Sequence, residues 1–98
     1  MARIDMPKDA VAAFCRKHGV RRLALFGSVL TDRFRPDSDV DVLVEFEPGS
    51  HTGFLKLAAM ELELSSLLGR KVDLRTPGEL SRYFRDQVLR NVEVQFGA

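Results

Sequence analysis

An apolar run ends in Gly27-Ser28, and ten residues later Asp39-Val40-Asp41 opens a second apolar run. No other stretch constrains this chain as much. A strand repeats its side chains every two residues. Asp39, Asp41, Leu43 and Glu45 therefore share one face, and Val40, Val42, Val44 and Phe46 share the other. The two aspartates stand about 7 Å apart along such a strand. Carboxylates that near one another resist ionising together, and a divalent cation between them is the simplest relief. Oxygen ligands select a hard ion, Mg²⁺ or Mn²⁺.

Gly27-Ser28 suits the other half of such a site. Glycine lets a backbone approach a ligand closely, and Ser28 is placed to cap a short helix over residues 29–34. Free N–H groups at a helix start attract anions, phosphate above all. A phosphate cradle beside a carboxylate metal site points to a nucleoside triphosphate with its magnesium.

Around this centre the pattern alternates. Asp5 to Gly19 reads as a helix, capped by Asp5 or Met6, with Pro7 in its first turn and Val11, Phe14 and Cys15 facing inward. Residues 21–26 read as a strand, 35–38 as a turn and 40–46 as a strand covered on both faces. Phe54 to Leu68 is the longest helix, ended by Gly69, and it carries too many apolar residues for one narrow stripe. Either it is deeply buried or a second side of it meets a partner chain. Residues 70–75 read as a strand, 76–90 as a helical segment opened by Thr76-Pro77, and 92–96 as a small edge strand. This order gives an α/β (α+β) chain with a small sheet, and its 98 residues suffice for a single domain, 1–98.

Composition removes several alternatives. The net charge of +1 argues against direct nucleic-acid binding by the chain as a whole. Acidic residues crowd into the middle of the chain between basic flanks, as a metal site whose phosphates are met from both sides would require. One cysteine excludes an internal disulfide, and Cys15 reads as a small apolar group rather than a nucleophile. Zinc is disfavoured by one Cys and two His. His18 sits at a helix end that welcomes positive charge. His51 lies on a loop and reads as solvated, with a substrate contact left open. Asp37-Ser38-Asp39-Val40-Asp41 begins like an EF-hand loop, but Val42 and Pro48 stand where that loop needs Gly and Glu. Neither a P-loop nor a Gly-x-Gly-x-x-Gly motif is present. No signal-peptide core or membrane-spanning run appears, so a cytoplasmic setting is the expectation.

Gly27-Ser28, ten residues and Asp39-Val40-Asp41 together resemble the signature of the DNA polymerase β-like nucleotidyltransferases. The wording Arg35-Pro36-Asp37-Ser38-Asp39-Val40-Asp41-Val42-Leu43-Val44-Glu45-Phe46 resembles the minimal (MNT) branch. Leu68-Gly69-Arg70-Lys71-Val72-Asp73-Leu74 continues the likeness, and there the family carries a third carboxylate, here Asp73. The resemblance covers residues 20–92. It implies a polymerase β palm-like fold, a small mixed sheet with flanking helices. The Asp39–Asp41 strand would lie in the middle, with Asp73 one strand spacing, about 5 Å, away. It further implies two Mg²⁺ ions on Asp39 and Asp41, with Asp73 completing the nucleophile-side ion and taking the proton. Gly27 and Ser28 would hold the β- and γ-phosphates of ATP.

Bland readings stand beside these. The two strand aspartates could merely cap a strand entry on a solvated edge, and Asp73 could pair with Arg70 or Lys71. One departure from the family pattern matters. Many members carry Arg three residues after the Ser, where this chain has Thr31; Arg33 or Arg35 stands in, or phosphate binding is weaker.

Relatives that extend polymers or modify small molecules need further domains to seat the acceptor, so here another molecule, or a second copy of the chain in a homo-oligomer, must present it. In the minimal branch that molecule is commonly a HEPN-domain ribonuclease toxin, whose tyrosine the antitoxin modifies with AMP. The resemblance therefore implies an ATP- and Mg²⁺-dependent protein adenylyltransferase acting as an antitoxin. The alternatives are a binding module that neutralises its partner by occlusion, and nucleotidylation of a small molecule or RNA end.

Overall fold

The computed structural model of the chain describes residues 4–49, 52–80 and 82–97, and of residues 82–84 the backbone alone. His51 lies outside the described residues. The elements run α1 (Lys8–His18), β1 (Val20–Phe26), a 3₁₀ turn (Gly27–Leu30), β2 (Val40–Phe46), α2 (Phe54–Leu68), β3 (Val72–Arg75), a second 3₁₀ turn (Pro77–Glu79), α3 (Arg82–Arg90) and β4 (Glu93–Phe96).

The four strands form one mixed sheet in the order β3-β2-β1-β4. The strand that carries Asp41 is interior, as the family resemblance implies. It pairs antiparallel with β1 and parallel with β3. A parallel neighbour needs a crossover, and α2 supplies it. Residues 93–96 form the expected edge strand, laid antiparallel on β1.

The alternation of β2 sorts its side chains as period two demands. Val40, Val42 and Val44 join Leu23, Leu25, Val72 and Leu74 in a core completed by Val11 and Phe14 of α1 and Met60 and Leu64 of α2. Leu43, on the opposite face, is buried as well, so β2 is covered on both sides at its centre. Asp41 and Glu45, toward its ends, stay partly open. Cys15 sits in the core, and burial pushes its thiol up to about 11, which suits packing and not nucleophilic attack. His18 places Nε2 3.0 Å from Glu63 Oε1 of α2; Lys17 reaches the same carboxylate at 3.3 Å.

The structure revises three boundaries. Helix α1 starts at Lys8, with Pro7 at the position before it; Met6, preceding a proline, is biased away from helical dihedrals, so a start at Asp5 is blocked. Strand β3 begins at Val72 and not at residue 70, because Gly69 turns left-handed to end α2 and Arg70 donates its N–H back to the Ser65 carbonyl. The 76–90 segment is not continuous. Thr76 and Glu79 form a capping box around a single 3₁₀ turn, and Leu80 is extended before α3 begins. Helix α2 keeps its expected bounds, and of its two alternatives deep burial all round is excluded: Phe54, Leu55 and Leu62 are 83%, 83% and 71% exposed, leaving one apolar side uncovered. Among the described residues no helix is long and apolar enough to cross a membrane.

Candidate active site

The site forms where β1 ends against the start of β2. Phe26 is extended, and Gly27, at φ +77°, starts the 3₁₀ turn at once. Only glycine takes that dihedral without strain. The expected helix over 29–34 is thus replaced by a tighter turn two residues earlier. Ser28 lies inside this turn, whose N-cap position is Phe26, so its assignment as helix cap is corrected. Its carbonyl accepts hydrogen bonds from both the backbone N–H and the hydroxyl of Thr31, each at 2.9 Å. The Thr31 hydroxyl in turn accepts from the Arg33 N–H at 3.1 Å. Thr31 thereby closes the turn that Gly27 opens.

Gly27 does more than turn the chain. A Cβ built on it would run into Oδ2 of Asp41, so its backbone is packed directly against that carboxylate. Asp41 pairs in register with Phe26 on one side and with Asp73 on the other. Paired residues project to the same face, so Asp41 and Asp73 are side-by-side neighbours one strand spacing apart. Asp39 precedes β2 by one residue and is exposed. Gly27 and Asp73 are thus both brought against Asp41, and Asp39 stands two residues ahead of it at the entry to β2.

The electrostatics mark the same centre. Burial pushes Asp41 above the ordinary carboxylate value, and the charges of Asp73 and then Asp39 push it further, against a smaller opposing pull from Arg75. The outer carboxylates each have a cation. Lys71 Nζ lies 3.8 Å from Asp39. Arg75 contacts both oxygens of Asp73 at 3.2 Å and reaches Glu79 at 3.8 Å. The rival reading for Asp73, an ion pair with Arg70 or Lys71, does not hold as stated: its partner is Arg75. Arg70 is occupied elsewhere: it donates to the carbonyls of Arg35 and Pro36 at 2.8 Å and lies over the Phe34 ring. With the outer two carboxylates held this way, no three acidic, histidine or cysteine side chains among the described residues close into a ready-made metal cage. The donor set nevertheless suits a hard divalent ion. It is all oxygen, and among the described residues no cation lies within ion-pair distance of its central member.

Two clefts flank the Gly27 turn. One, of about 560 Å³, is lined by Gly27, Ser28, Leu30, Thr31, Arg33 and Asn91. The other, of about 390 Å³, is lined by Phe26, Gly27, Gln87, Val88 and Asn91. Of the two arginines that could stand in for the family's Arg, Arg33 lines the Gly27–Ser28 cleft, whereas Arg35 faces a separate hollow with Arg70. Sequence reasoning missed Gln87 and Asn91. Their only signal was a polar end to the last helix, and nothing local says that this end meets Gly27.

Comparison with known proteins points one way. The family model for the nucleotidyltransferase domain matches residues 8–94. Protein adenylyltransferase MntA of Thermococcus cleftensis is 40% identical over 76 residues, covering 78% of this chain and 75% of its own length. A solved structure of a candidate minimal nucleotidyltransferase superposes with a TM-score of 0.71 at 41% identity, covering 87% of this chain and 85% of that one. The complex of a tri-AMPylated Shewanella oneidensis HEPN toxin with an MNT antitoxin gives a TM-score of 0.68 at 20% identity, covering 93% and 70%. At that identity the likeness is one of fold.

Proposed function

The chain belongs to the nucleotidyltransferase domain family, and on that footing we propose that it transfers AMP from ATP to a hydroxyl on a partner protein, with pyrophosphate leaving, as the cytoplasmic antitoxin of a HEPN toxin pair. One observation carries the reading: Asp41 and Asp73 stand in parallel register with the bare backbone of Gly27 packed against Asp41. The naming of the Thermococcus relative as a protein adenylyltransferase supports the choice of AMP and of a protein acceptor. The Shewanella complex supports the choice of a HEPN partner.

Asp39, Asp41 and Asp73 would hold magnesium. When bound, magnesium supplies positive charge to the triphosphate and lowers the pKa of the attacking hydroxyl. The chain's own residues do the rest. Gly27 and Ser28 receive the β- and γ-phosphates, because only a residue without a side chain leaves room beside Asp41. Arg33 lines the same cleft and supplies the positive charge that Thr31 lacks. Asp73 borders a groove between α2 and β3, where it can accept the proton of an incoming hydroxyl.

A second reading has its own observation. Thr31 spends its hydroxyl on the turn and offers no charge to phosphate, which favours a binding module that neutralises a partner by occlusion. ATP labelled at the α-phosphate, offered with Mg²⁺ to the co-expressed neighbour protein, to RNA and to small hydroxyl compounds, separates these readings. Label on the protein alone is the expected result. Label on RNA or a small molecule moves the acceptor, and no label anywhere leaves occlusion.

A further inference from the structure

Strand β3 is four residues long, lies at the sheet edge and, among the described residues, has β2 as its one strand partner. An edge strand of this length presents unpaired N–H groups on its outer side. Here the outer N–H groups on either side of Asp73 are both taken by side chains of α2. Leu74 donates to Glu61 Oε2 at 2.7 Å, and Val72 donates to Ser65 Oγ at 2.9 Å. Ser65 donates onward to the Glu61 carbonyl at 2.8 Å, which joins the two contacts into one unit. Asp73 is thus gripped from β2 on its inner side and from α2 on its outer side.

We propose that Glu61 and Ser65 are positioning residues for the metal and nucleotide site, setting where the Asp73 carboxylate stands relative to Asp41. The inference rests on the function proposed above. A short edge strand held by one neighbour can twist and slide, and a shift of the backbone at 73 moves the carboxylate away from its register with Asp41. The Glu61 bond is the stronger because a carboxylate oxygen accepts it. Glu61 also lines the groove that borders Asp73, so its side chain is fixed on the acceptor side of the site. The contacts join residues separated by 13 and 7 positions, which lets α2 carry the placement of β3 directly.

The experiment measures Mn²⁺ binding by electron paramagnetic resonance and binding of a fluorescent ATP analogue, together with melting temperature and amide exchange at Val72 and Leu74. Glu61→Ala should weaken Mn²⁺ binding about ten- to hundredfold, the range usual for groups that orient metal ligands, and should speed exchange at Leu74. Glu61→Gln retains an oxygen that accepts from Leu74 and should stay within about threefold of wild type. Ser65→Ala tests the second contact without removing a large side chain, and should give a smaller loss in the same direction with faster exchange at Val72. A purely structural role predicts lower melting temperatures with unchanged Mn²⁺ binding in the folded variants, and that result overturns the proposal. If wild type binds the ATP analogue and Mn²⁺ and all three variants bind equally well, the positioning role fails while the proposed function stands. If wild type binds neither, both fail together.

Discussion

Asp41 stands beside Asp73 across the parallel pairing of β2 and β3, and each outer carboxylate of the group has a cation while, among the described residues, none lies in contact with Asp41. The site is therefore electrostatically loaded before any ligand arrives. Burial and two like charges raise the affinity of Asp41 for a proton. A raised carboxylate value means that the folded state binds protons more tightly than the unfolded chain. The resulting cost to stability is absent at acid pH, where Asp41 is protonated in both states. It grows as pH rises past the unfolded value and is complete above the folded one.

Asp41→Asn should consequently be more stable than wild type at neutral pH while losing nucleotidyl transfer. In a chain of this size each 1 kcal/mol is worth about 4–8 °C in melting temperature, so the rise is readable by calorimetry. The gap should close as the pH is lowered, and Mg²⁺ should raise the melting temperature of wild type and not of the variant. A variant that melts lower than wild type at pH 7 contradicts this account of the site.

Gly27 and Gly69 make a controlled pair. Both are left-handed, at φ +77° and +66°, but a Cβ at Gly27 meets Asp41 and one at Gly69 meets nothing. Alanine at either position costs about 1–2 kcal/mol for the dihedral alone. Gly27→Ala should additionally abolish transfer and nucleotide binding, whereas Gly69→Ala should retain both in the folded fraction. Equal activity of the two variants would remove the phosphate-side argument.

Arg33 and Arg35 separate the two candidates for phosphate contact. Arg33→Ala should raise KM for ATP about fivefold, the scale of an exposed charge contact. Arg35→Ala should leave it unchanged, because Arg35 opens on the other hollow. Steady-state kinetics at fixed acceptor distinguishes the two, and the reverse order would assign the contact to Arg35.

How much of this could be read from the chain alone depends on the range of each signal. Period two placed Asp41 opposite Val42, whereas Asp73 was brought alongside only by the family resemblance, because no local pattern says which strand lies next to β2. Gly27 was legible because a small residue ended an apolar strand just before the acidic pair. The turn that follows was misjudged: the left-handed Gly27 starts it at once, and the Thr31 hydroxyl closes it before a helix can grow. The break at Leu80 was hidden because Thr76-Pro77 is a sound helix start whose turn simply does not propagate. Nothing local marks Glu61, because its partner is a backbone N–H thirteen residues away.

Glu63 gives a prediction remote from the site. Its hydrogen bond with His18 holds it below the ordinary carboxylate value, against an opposing push from burial and with further help from Lys17. A depressed value contributes stability above the unfolded value, and that contribution is lost as pH falls through the folded one. Glu63→Gln should lower the melting temperature slightly at pH 7, with the difference vanishing at acid pH and shrinking in high salt. Transfer should be unaffected, and a change in transfer would show that the α1–α2 contact reaches the site.

The central claim is that the Asp39–Asp41–Asp73 group moves a nucleotide onto a partner protein. Its most direct test is mass spectrometry of the neighbour protein co-expressed with wild type and with the Asp39→Asn, Asp41→Asn double variant, each shown to be folded by circular dichroism. The account predicts an added AMP on a hydroxyl side chain with wild type and none with the double variant. The same modification in both samples would contradict it.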